Sequence, residues 1–287
     1  WSGIKECILE TLSLIHRFGI NSQSLTSKNA VIPICYYLYK KQNGNEPLYK
    51  TINTLTKHHE QRDLISRWFY MVLLKGVFGG QADTILKSMR DILDHHLDEP
   101  LFPLQAIIHR YTATNKDLRF DDEYMESLLN IEHGEGRCRA LLHLLYPEMN
   151  VTEIFHIDHL HPSSHFKKNY LGKFDYLINN PKKMEFYENH LHWNTIANLH
   201  LLNHSQNQSK SNKTLKDWLD DPTVHLEAKD LLVESVDLSF EAFPEFFAKR
   251  RAELKKRLIS RVFFAHSIPL EPESEDQDEE VVEDILE

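Results

Sequence analysis

The stretch "IDHLHP", from Ile157 to Pro162, marks a change in the kind of secondary structure that the sequence predicts. It contains an Asp-His pair with a proline three positions after the histidine, inside the histidine-rich run "HIDHLHP". Asp and His side chains can bind a metal ion or transfer a proton, but an ordinary surface strand can carry the same residues. The choice between these interpretations depends on the residues on either side.

Upstream of this stretch, residues 1 to about 145 are predicted to be helical almost throughout. "NAVIPICYYLYKK" and "DLISRWFYMVLLKGVFGG" are dense apolar segments, and Gly79-Gly80 predicts the end of the second. "SGIKECILETLSLIHRF" has apolar residues at helical spacing, predicted to form one buried face: Ile4, Ile8, Leu12 and Ile15. We therefore predict a helical support domain over residues 1–145.

Downstream, the pattern changes to short β-like runs and polar loops. "TEIFHIDHLHP" and "WNTIANLHLLN" predict two strands, and "NNPKKMEFYENHLH" between them predicts one helix opened by Pro181. We predict a compact core of two strands and a helix over residues 146–220, followed by C-terminal helices over 221–267 that pack on it. The fold class is then mainly α with a small ββα insert, α+β overall.

The charge distribution leaves a nucleic-acid partner open despite a net charge of −10. Ten acidic residues and no Lys or Arg lie between Glu271 and Glu287, and the rest of the chain has 33 acidic and 33 basic residues. We predict a disordered acidic tail over residues 268–287. Such a tail is either a solubilising end or a DNA mimic that covers a basic site.

Two further features bear on the class of protein. No apolar run of about 18 residues and no signal segment are present, which predicts a cytoplasmic protein without a membrane partner. The three cysteines form no CxxC pair, so the sequence predicts neither a disulfide framework nor a thiolate zinc site. Because the chain begins with Trp1 rather than Met, we expect it to be a fragment of a longer protein.

The residues around "IDHLHP" match the requirements of metal-dependent phosphodiester hydrolysis. Mg²⁺ usually needs only one or two protein oxygens, and the pKa of histidine suits a base that activates water. Neighbours on a regular strand point to opposite faces, so we expect the backbone to be irregular at Asp158 and His159 if both serve one site. Ser205 is a predicted N-cap, with Asn207 in the first helical turn and Lys210 one turn later.

The pattern D-H-x-x-P, then N-L-x-L-L, then an Asn nine positions after the first Asn, resembles the HNH nucleases of the His-Me finger (ββα-metal) class. The resemblance implies that Asp158 is a metal-binding carboxylate and that His159 is the general base. Asn198 would hold the loop behind the histidine, and Asn207 would be the second metal ligand. The cofactor that the resemblance implies is Mg²⁺, for which Mn²⁺ would be a substitute.

Other residues near this pattern are candidates for DNA binding. We predict phosphate contacts for Lys210, Lys213 and His161, and expect His156 to contact a metal ligand because it shares the strand parity of Asp158. Several more lysines are near the pattern in sequence, where the alternative is a solvated surface: Lys167, Lys168, Lys182, Lys183 and Lys216.

A tighter resemblance covers nearly the whole chain. "NAVIPICYYLYK", "ISRWFYMVLLKGVFGGQADT", "IDHLHP" and the basic closing helix resemble the C-terminal half of GmrSD-type modification-dependent restriction enzymes, an architecture shared by the phosphorothioate-sensing defence nuclease SspE. This implies cleavage or nicking of double-stranded DNA in anti-phage defence. It also implies a preceding nucleotide-binding sensor domain with a D-G-Q-Q-R type motif, which this chain lacks.

The chain departs from that class in two ways, and three other functions stay open. The spacer between the two strands is longer than in a minimal ββα unit, and zinc-binding cysteine pairs are absent. The alternatives are a catalytically silent DNA- or partner-binding module, an RNA-cleaving toxin, and a histidine-rich zinc-binding structural domain. Whether the protein forms a homo-oligomer is also open.

Overall fold

A computed structural model describes residues 1–21, 25–80, 82–149 and 154–263. The protein is mainly helical with two small two-stranded sheets, which confirms the predicted α+β class. We refer to the described part of residues 1–149 as the helical body and to residues 154–263 as the site region. The predicted acidic tail, 268–287, lies outside the described residues.

The helical body consists of helices and one short antiparallel hairpin, β1–β2. Within its described residues the elements are α1 Ser2–Arg17, α2 Val31–Lys40, β1 Gln42–Asn43, β2 Glu46–Pro47, α3 His59–Lys75, α4 Ala82–His95, α5 Leu104–Tyr111, α6 Asp122–Leu129 and α7 Cys138–Leu145. Every one of these helices contributes buried apolar side chains to one continuous core, which we call the first core. The predicted helical character of this part of the chain is therefore observed.

The site region combines short helices with the second sheet. Its elements are β3 Phe155–His159, α8 Lys168–Leu171, α9 Asp175–Ile178, α10 Pro181–Glu188, α11 His190–Trp193, β4 Leu199–Asn203, α12 His204–Lys210, α13 Leu215–Leu219 and α14 Phe243–Arg261. Pro181 does open a helix, with Asn180 as its N-cap. The predicted single helix is two, because Asn189 ends α10 and caps α11.

Two details of the helical body differ from the sequence prediction. Helix α3 ends at Gly76 rather than at Gly79-Gly80, because Gly76 adopts a left-handed conformation with φ of 61°. Helix α1 buries a different face, made by Cys7, Thr11, Leu14 and Ile15. Three of the four predicted core residues of α1 are exposed: Ile4, Ile8 and Leu12. A helix with apolar residues on two faces buries the one that its neighbours cover.

Packing between helices also brings two cysteines together that are 28 residues apart in sequence. The Sγ atoms of Cys7 on α1 and Cys35 on α2 are 3.7 Å apart, and both thiols are free. They help to fill the contact between these two helices.

Among the described residues, no helix is both long enough and apolar enough to cross a lipid bilayer.

The site region has its own smaller core, rich in aromatic rings, which we call the second core. Its largest members are Trp218, Tyr187, Phe243 and Phe246. The strands and α14 connect the two cores: Leu199 and Leu201 of β4 belong to the first, whereas Leu202 belongs to the second. The β3–β4 pair, which we call the hairpin, therefore lies where the two cores meet.

Arg250 on α14 fixes the chain just before β4. Its guanidinium is fully buried and donates hydrogen bonds to the carbonyls of Ile196, Ala197, Leu199 and Leu231 and to the hydroxyl of Tyr146. Arg250 belongs to a helix rich in Lys and Arg, so its sequence context does not predict its burial. Buried carbonyls need donors, and a planar guanidinium can serve several at once.

Candidate active site

Strands β3 and β4 form a regular antiparallel pair over their whole length. The register runs from Phe155 opposite Asn203 to His159 opposite Leu199 without interruption. The expected irregularity at Asp158 and His159 is therefore absent, and the two side chains lie on opposite faces of the strand. His159 shares its face with Phe155 and Ile157, which pack against the first core.

Helix α12 follows β4 directly and covers the other face of β3. Near its start, the ring of His204 lies 6.3 Å from the ring of His156. At its end, Nζ of Lys210 lies 3.0 Å from Oδ2 of Asp158. Asn207 is three residues from each of these helical positions and so lies on the same face of α12. The structure thus brings Asp158, Asn207 and the exposed His156 to one side of the hairpin.

The N-terminus of α12 is fixed by Asn203 rather than by the predicted Ser205. The Asn203 side chain accepts the backbone N–H of Gln206, and the Gln206 side chain accepts the backbone N–H of Asn203. This reciprocal pair is a capping box. It places Asn207 in the second turn. The side chain of Asn207 makes no hydrogen bond or ion pair with any described residue.

His159 is 9% exposed and is held by three neighbours. Its Nε2 lies 3.0 Å from Oδ1 of Asn194, and its ring stacks on His133 with centroids 5.0 Å apart. Trp193 packs on it at 6.1 Å. Burial lowers the pKa of His159 below its ordinary value, and the hydrogen bond to Asn194 opposes that change. Within the described chain, Nδ1 of His159 has no hydrogen-bond partner.

Asn198 is fully buried and binds the backbone beyond β3. Its Oδ1 accepts the N–H of His161, and its Nδ2 donates to the carbonyls of His161 and Trp193, all at 2.8–2.9 Å. Its own carbonyl accepts the N–H of Leu160. One amide side chain therefore fixes both the exit from β3 and the approach to β4.

His161 lies inside the second core, not at a surface. It is fully buried, with its ring against Phe243 and Phe246 at centroid distances of 5.3 and 4.6 Å. Neither ring nitrogen has a hydrogen-bond partner, and burial lowers the pKa of His161 to about 3. A buried, uncharged imidazole has no route to a phosphate, so the predicted nucleic-acid contact of His161 is wrong.

Lys210 is also buried, with 1% of its side chain exposed, and its ammonium pairs with Asp158. Burial lowers the pKa of Lys210, and Asp158 counteracts that effect. The predicted phosphate contact of Lys210 is therefore replaced by an ion pair with the predicted metal ligand. Lys213 is on the surface, where it pairs with Asp221 at 2.9 Å.

Two other lysines near the hairpin, Lys167 and Lys168, have ammonium groups without an ion-pair partner among the described residues. Lys167 and Lys168 are exposed, at the start of the segment between the strands. The ammonium of Lys167 lies 5.7 Å from the ring centre of Trp193, which itself contacts His159. Neither lysine forms an ion pair with a described residue. Their amines can therefore bind phosphate without first breaking an internal salt bridge.

The sequence prediction missed Glu132, His133 and Asn194, which surround His159. Nδ2 of Asn194 donates to Oε2 of Glu132 at 2.8 Å, and Nε2 of His133 lies 3.3 Å from the carbonyl of Ile157. Glu132 and His133 belong to the helical body, just after α6. Asn194 lies four residues before Asn198, the first Asn of the sequence pattern. No regular spacing in the sequence connects it to Glu132.

The donor chemistry of the site fits a hard divalent cation. Asp158 uses Oδ2 for Lys210, which leaves Oδ1 without a protein partner among the described residues, and the Asn207 carbonyl oxygen is similarly unengaged. Carboxylate and amide oxygens are ligands that Mg²⁺ accepts, with water completing its shell. No group of three or more His, Cys, Asp or Glu side chains with metal-binding geometry occurs in the described residues, so a histidine-rich zinc site has no support there.

Neither a protein-family model nor a curated protein matches this chain. The interpretation of the site therefore depends on its geometry and chemistry.

Proposed function

We propose that this protein is a metal-dependent DNA endonuclease of the HNH type. The observation that carries the proposal is that Asp158 and His159 are the last two residues of β3, with Asn207 on the helix beside Asp158. Because these two side chains leave opposite faces of the strand, one phosphate would have to lie across the strand end to reach both. The strand–strand–helix order, with a long insertion between the strands, agrees with the ββα-metal arrangement that the sequence resembles.

In this proposal Asp158 and Asn207 hold the cation through their side-chain oxygens. A cation held there, Mg²⁺ or Mn²⁺ in its place, would supply positive charge beside the phosphate and the 3′ oxygen that leaves it. Asp158 and Asn207 both lie on the α12 side of the hairpin, where the Lys210 ammonium is 3.0 Å from Oδ2 of Asp158. Lys210 neutralises the carboxylate while no cation is bound.

His159 acts as the general base. Because Asn194 accepts the Nε2 proton, the lone pair of the neutral ring is on Nδ1, which accepts a proton from the attacking water. A P–O bond to that water oxygen forms as the P–O3′ bond breaks, and the 3′ oxygen takes a proton from solvent. Burial keeps His159 uncharged at neutral pH, and the uncharged ring is the form that accepts a proton.

Asn198 contributes indirectly by holding the exit from β3 and the approach to β4 beside the end of the catalytic strand. Lys167 and Lys168 would bind the DNA backbone beside Trp193, because they are exposed and free of internal ion pairs. Contacts of this kind attract any duplex and carry no base specificity. Anti-phage restriction is the biological setting that the sequence resemblance suggests.

A catalytically silent DNA- or partner-binding module is the second candidate, and one observation favours it. The Lys210 ammonium is 3.0 Å from Asp158, where it competes with a metal ion for the same carboxylate. If metal cannot displace that interaction, the site binds without cutting. Measuring Mn²⁺ binding to the protein separates the two candidates, because only the nuclease needs a cation at Asp158.

The proposal is tested by incubating supercoiled plasmid with the protein in Mg²⁺, Mn²⁺ or EDTA, beside His159→Ala. We expect conversion to open-circular or linear DNA only with metal and only with the unmutated protein. The control is His109→Ala, which removes an exposed histidine on α5. Equal cleavage by His159→Ala, with folding and DNA affinity matched, would remove His159 from the mechanism.

A further inference from the structure

The residues that contact His159 from the helical body form a small, well-defined unit. Residues 131–133 lie beside residues 194–196, with Glu132 and Thr195 paired as an antiparallel bridge. His133 donates its backbone N–H to the carbonyl of Asn194 at 2.8 Å, and Ile196 donates to the carbonyl of Ile131 at 3.1 Å. The backbone on each side of Asn194 is thereby tied to the helical body.

Side chains continue this connection to the catalytic strand. Oε2 of Glu132 accepts a hydrogen bond from Nδ2 of Asn194 at 2.8 Å, and Oδ1 of Asn194 lies 3.0 Å from Nε2 of His159. An ionised carboxylate can only accept, so the amide must direct its NH₂ group toward Glu132. Its oxygen then faces the imidazole, and that oxygen can only accept. His159 must therefore carry a proton on Nε2.

We infer that Glu132 and Asn194 are positioning residues that fix the orientation and tautomer of His159. The inference rests on the proposed function, since the tautomer with a free Nδ1 lone pair is the one that base catalysis requires. His133 adds a stacked ring that limits rotation of the imidazole. The helical body thus takes part in the site through residues 132 and 133.

This arrangement also gives the imidazolium a partner once a proton has moved to Nδ1. The Nε2–H group donates to the Asn194 carbonyl, whose dipole is aligned by the Glu132 carboxylate. Glu132 has a second neighbour, His190, whose Nε2 lies 3.4 Å from Oε1. Because His190 contacts the other carboxylate oxygen, its removal should leave the bond to Asn194 intact.

The tautomer can be measured without any cleavage assay. In protein labelled with ¹⁵N-histidine, long-range ¹H–¹⁵N correlations distinguish Nε2–H from Nδ1–H, and His159→Ala identifies the relevant signals. We expect His159 in the unmutated protein to be the Nε2–H form. In Asn194→Ala and Glu132→Ala we expect a mixture of the two forms. Glu132→Gln should keep the Nε2–H form, since its amide oxygen can still accept from Asn194.

Cleavage rates of the same variants provide the second readout. We expect kcat to fall by about 10- to 100-fold in Asn194→Ala and Glu132→Ala with KM little changed, and to recover largely in Glu132→Gln. The matched controls are Asn179→Ala and Glu188→Ala, which remove exposed side chains without ion pairs to described residues. Thermal unfolding of each variant reports any general loss of stability.

The outcomes separate this inference from the proposed function. An Nδ1–H tautomer in the unmutated protein, or an unchanged tautomer and kcat in Asn194→Ala, would overturn the positioning role while leaving the nuclease intact. Absence of metal-dependent cleavage by the unmutated protein would instead refute the nuclease. In that case the tautomer data would still decide whether Glu132 and Asn194 orient His159.

Discussion

The helical body and the site region are stabilised in different ways. The body buries a large set of apolar side chains from seven described helices in one continuous core. The site region has a smaller aromatic core, and its loops are held by single polar side chains that each bind several backbone groups, as Asn198 and Arg250 do. Apolar cores tolerate volume-conserving apolar substitutions, whereas such polar centres do not tolerate the loss of their hydrogen-bonding group, because an unpaired buried carbonyl is costly.

The largest effect on stability is expected from Arg250→Met, which tests whether one side chain supports the site region. The change removes one hydrogen bond from each of four buried carbonyls, of which only that of Ile196 keeps another donor within the described chain, the backbone N–H of Leu199. We expect a loss of about 4 kcal/mol in the free energy of unfolding, roughly one per carbonyl. Urea denaturation measures it. Arg257→Met is the control, because its partially exposed side chain makes one surface ion pair, with Glu148. A loss under about 1 kcal/mol in the free energy of unfolding of Arg250→Met would contradict the claim that this one side chain stabilises the site region.

A second test compares one residue from each region with similar expected stability losses. Leu141→Ala removes a fully buried leucine of α7 and should cost about 3 kcal/mol. Asn198→Ala removes three hydrogen bonds and should cost about as much. Measured well below both melting temperatures, cleavage should be nearly normal in Leu141→Ala and lower by about 100-fold in Asn198→Ala, because only the latter displaces the catalytic strand end. Equal activities would mean that Asn198 acts through stability alone.

A further expected effect is a dependence of stability on pH that both regions share. Burial lowers the pKa of His143 in the body to about 4 and that of His161 in the site region to about 3. Below pH about 6.5 the unfolded chain binds protons that the folded protein does not, so stability falls as the pH falls. Each histidine contributes a slope of about 1.4 kcal/mol per pH unit down to its folded pKa, and nothing above pH about 7.

Replacing His161 with leucine sharpens this prediction. His161→Leu keeps an apolar group against Phe243 and Phe246 but cannot be protonated, so the loss of stability between pH 7 and pH 5 should be smaller than in the unmutated protein. Urea denaturation at several pH values provides the measurement, with exposed His109→Ala as the control. An unchanged slope would show that His161 is not a buried neutral histidine.

The sequence predicted the body better than the site, for physical reasons. Helical periodicity identified the helices, but the buried face of α1 depends on where α2 packs, and no local pattern contains that information. Lys210 and His161 were assigned to DNA because Lys210 follows Asn207 by one helical turn and His161 lies two positions after His159. Their burial results from packing against Asp158 and against rings more than 70 residues further along the chain.

Within the site, the D-H-x-x-P and Asn spacing identified residues that the fold brings to one hairpin and helix. It could not identify Glu132, because this residue is 62 positions from Asn194 and meets it only through tertiary structure. Arg250 was missed for a similar reason. An arginine in a basic helix is usually solvated, and only the buried carbonyls of residues 196–199 reveal its structural role.

The most direct test of the account is single-turnover cleavage of an end-labelled DNA duplex in Mn²⁺, with excess protein, by the unmutated chain and by His159→Ala. The account predicts products with 5′-phosphate and 3′-hydroxyl ends and a rate that falls by about 10²- to 10⁴-fold in the variant at equal DNA binding. The same rate in both proteins, or cleavage that persists in EDTA, would contradict it.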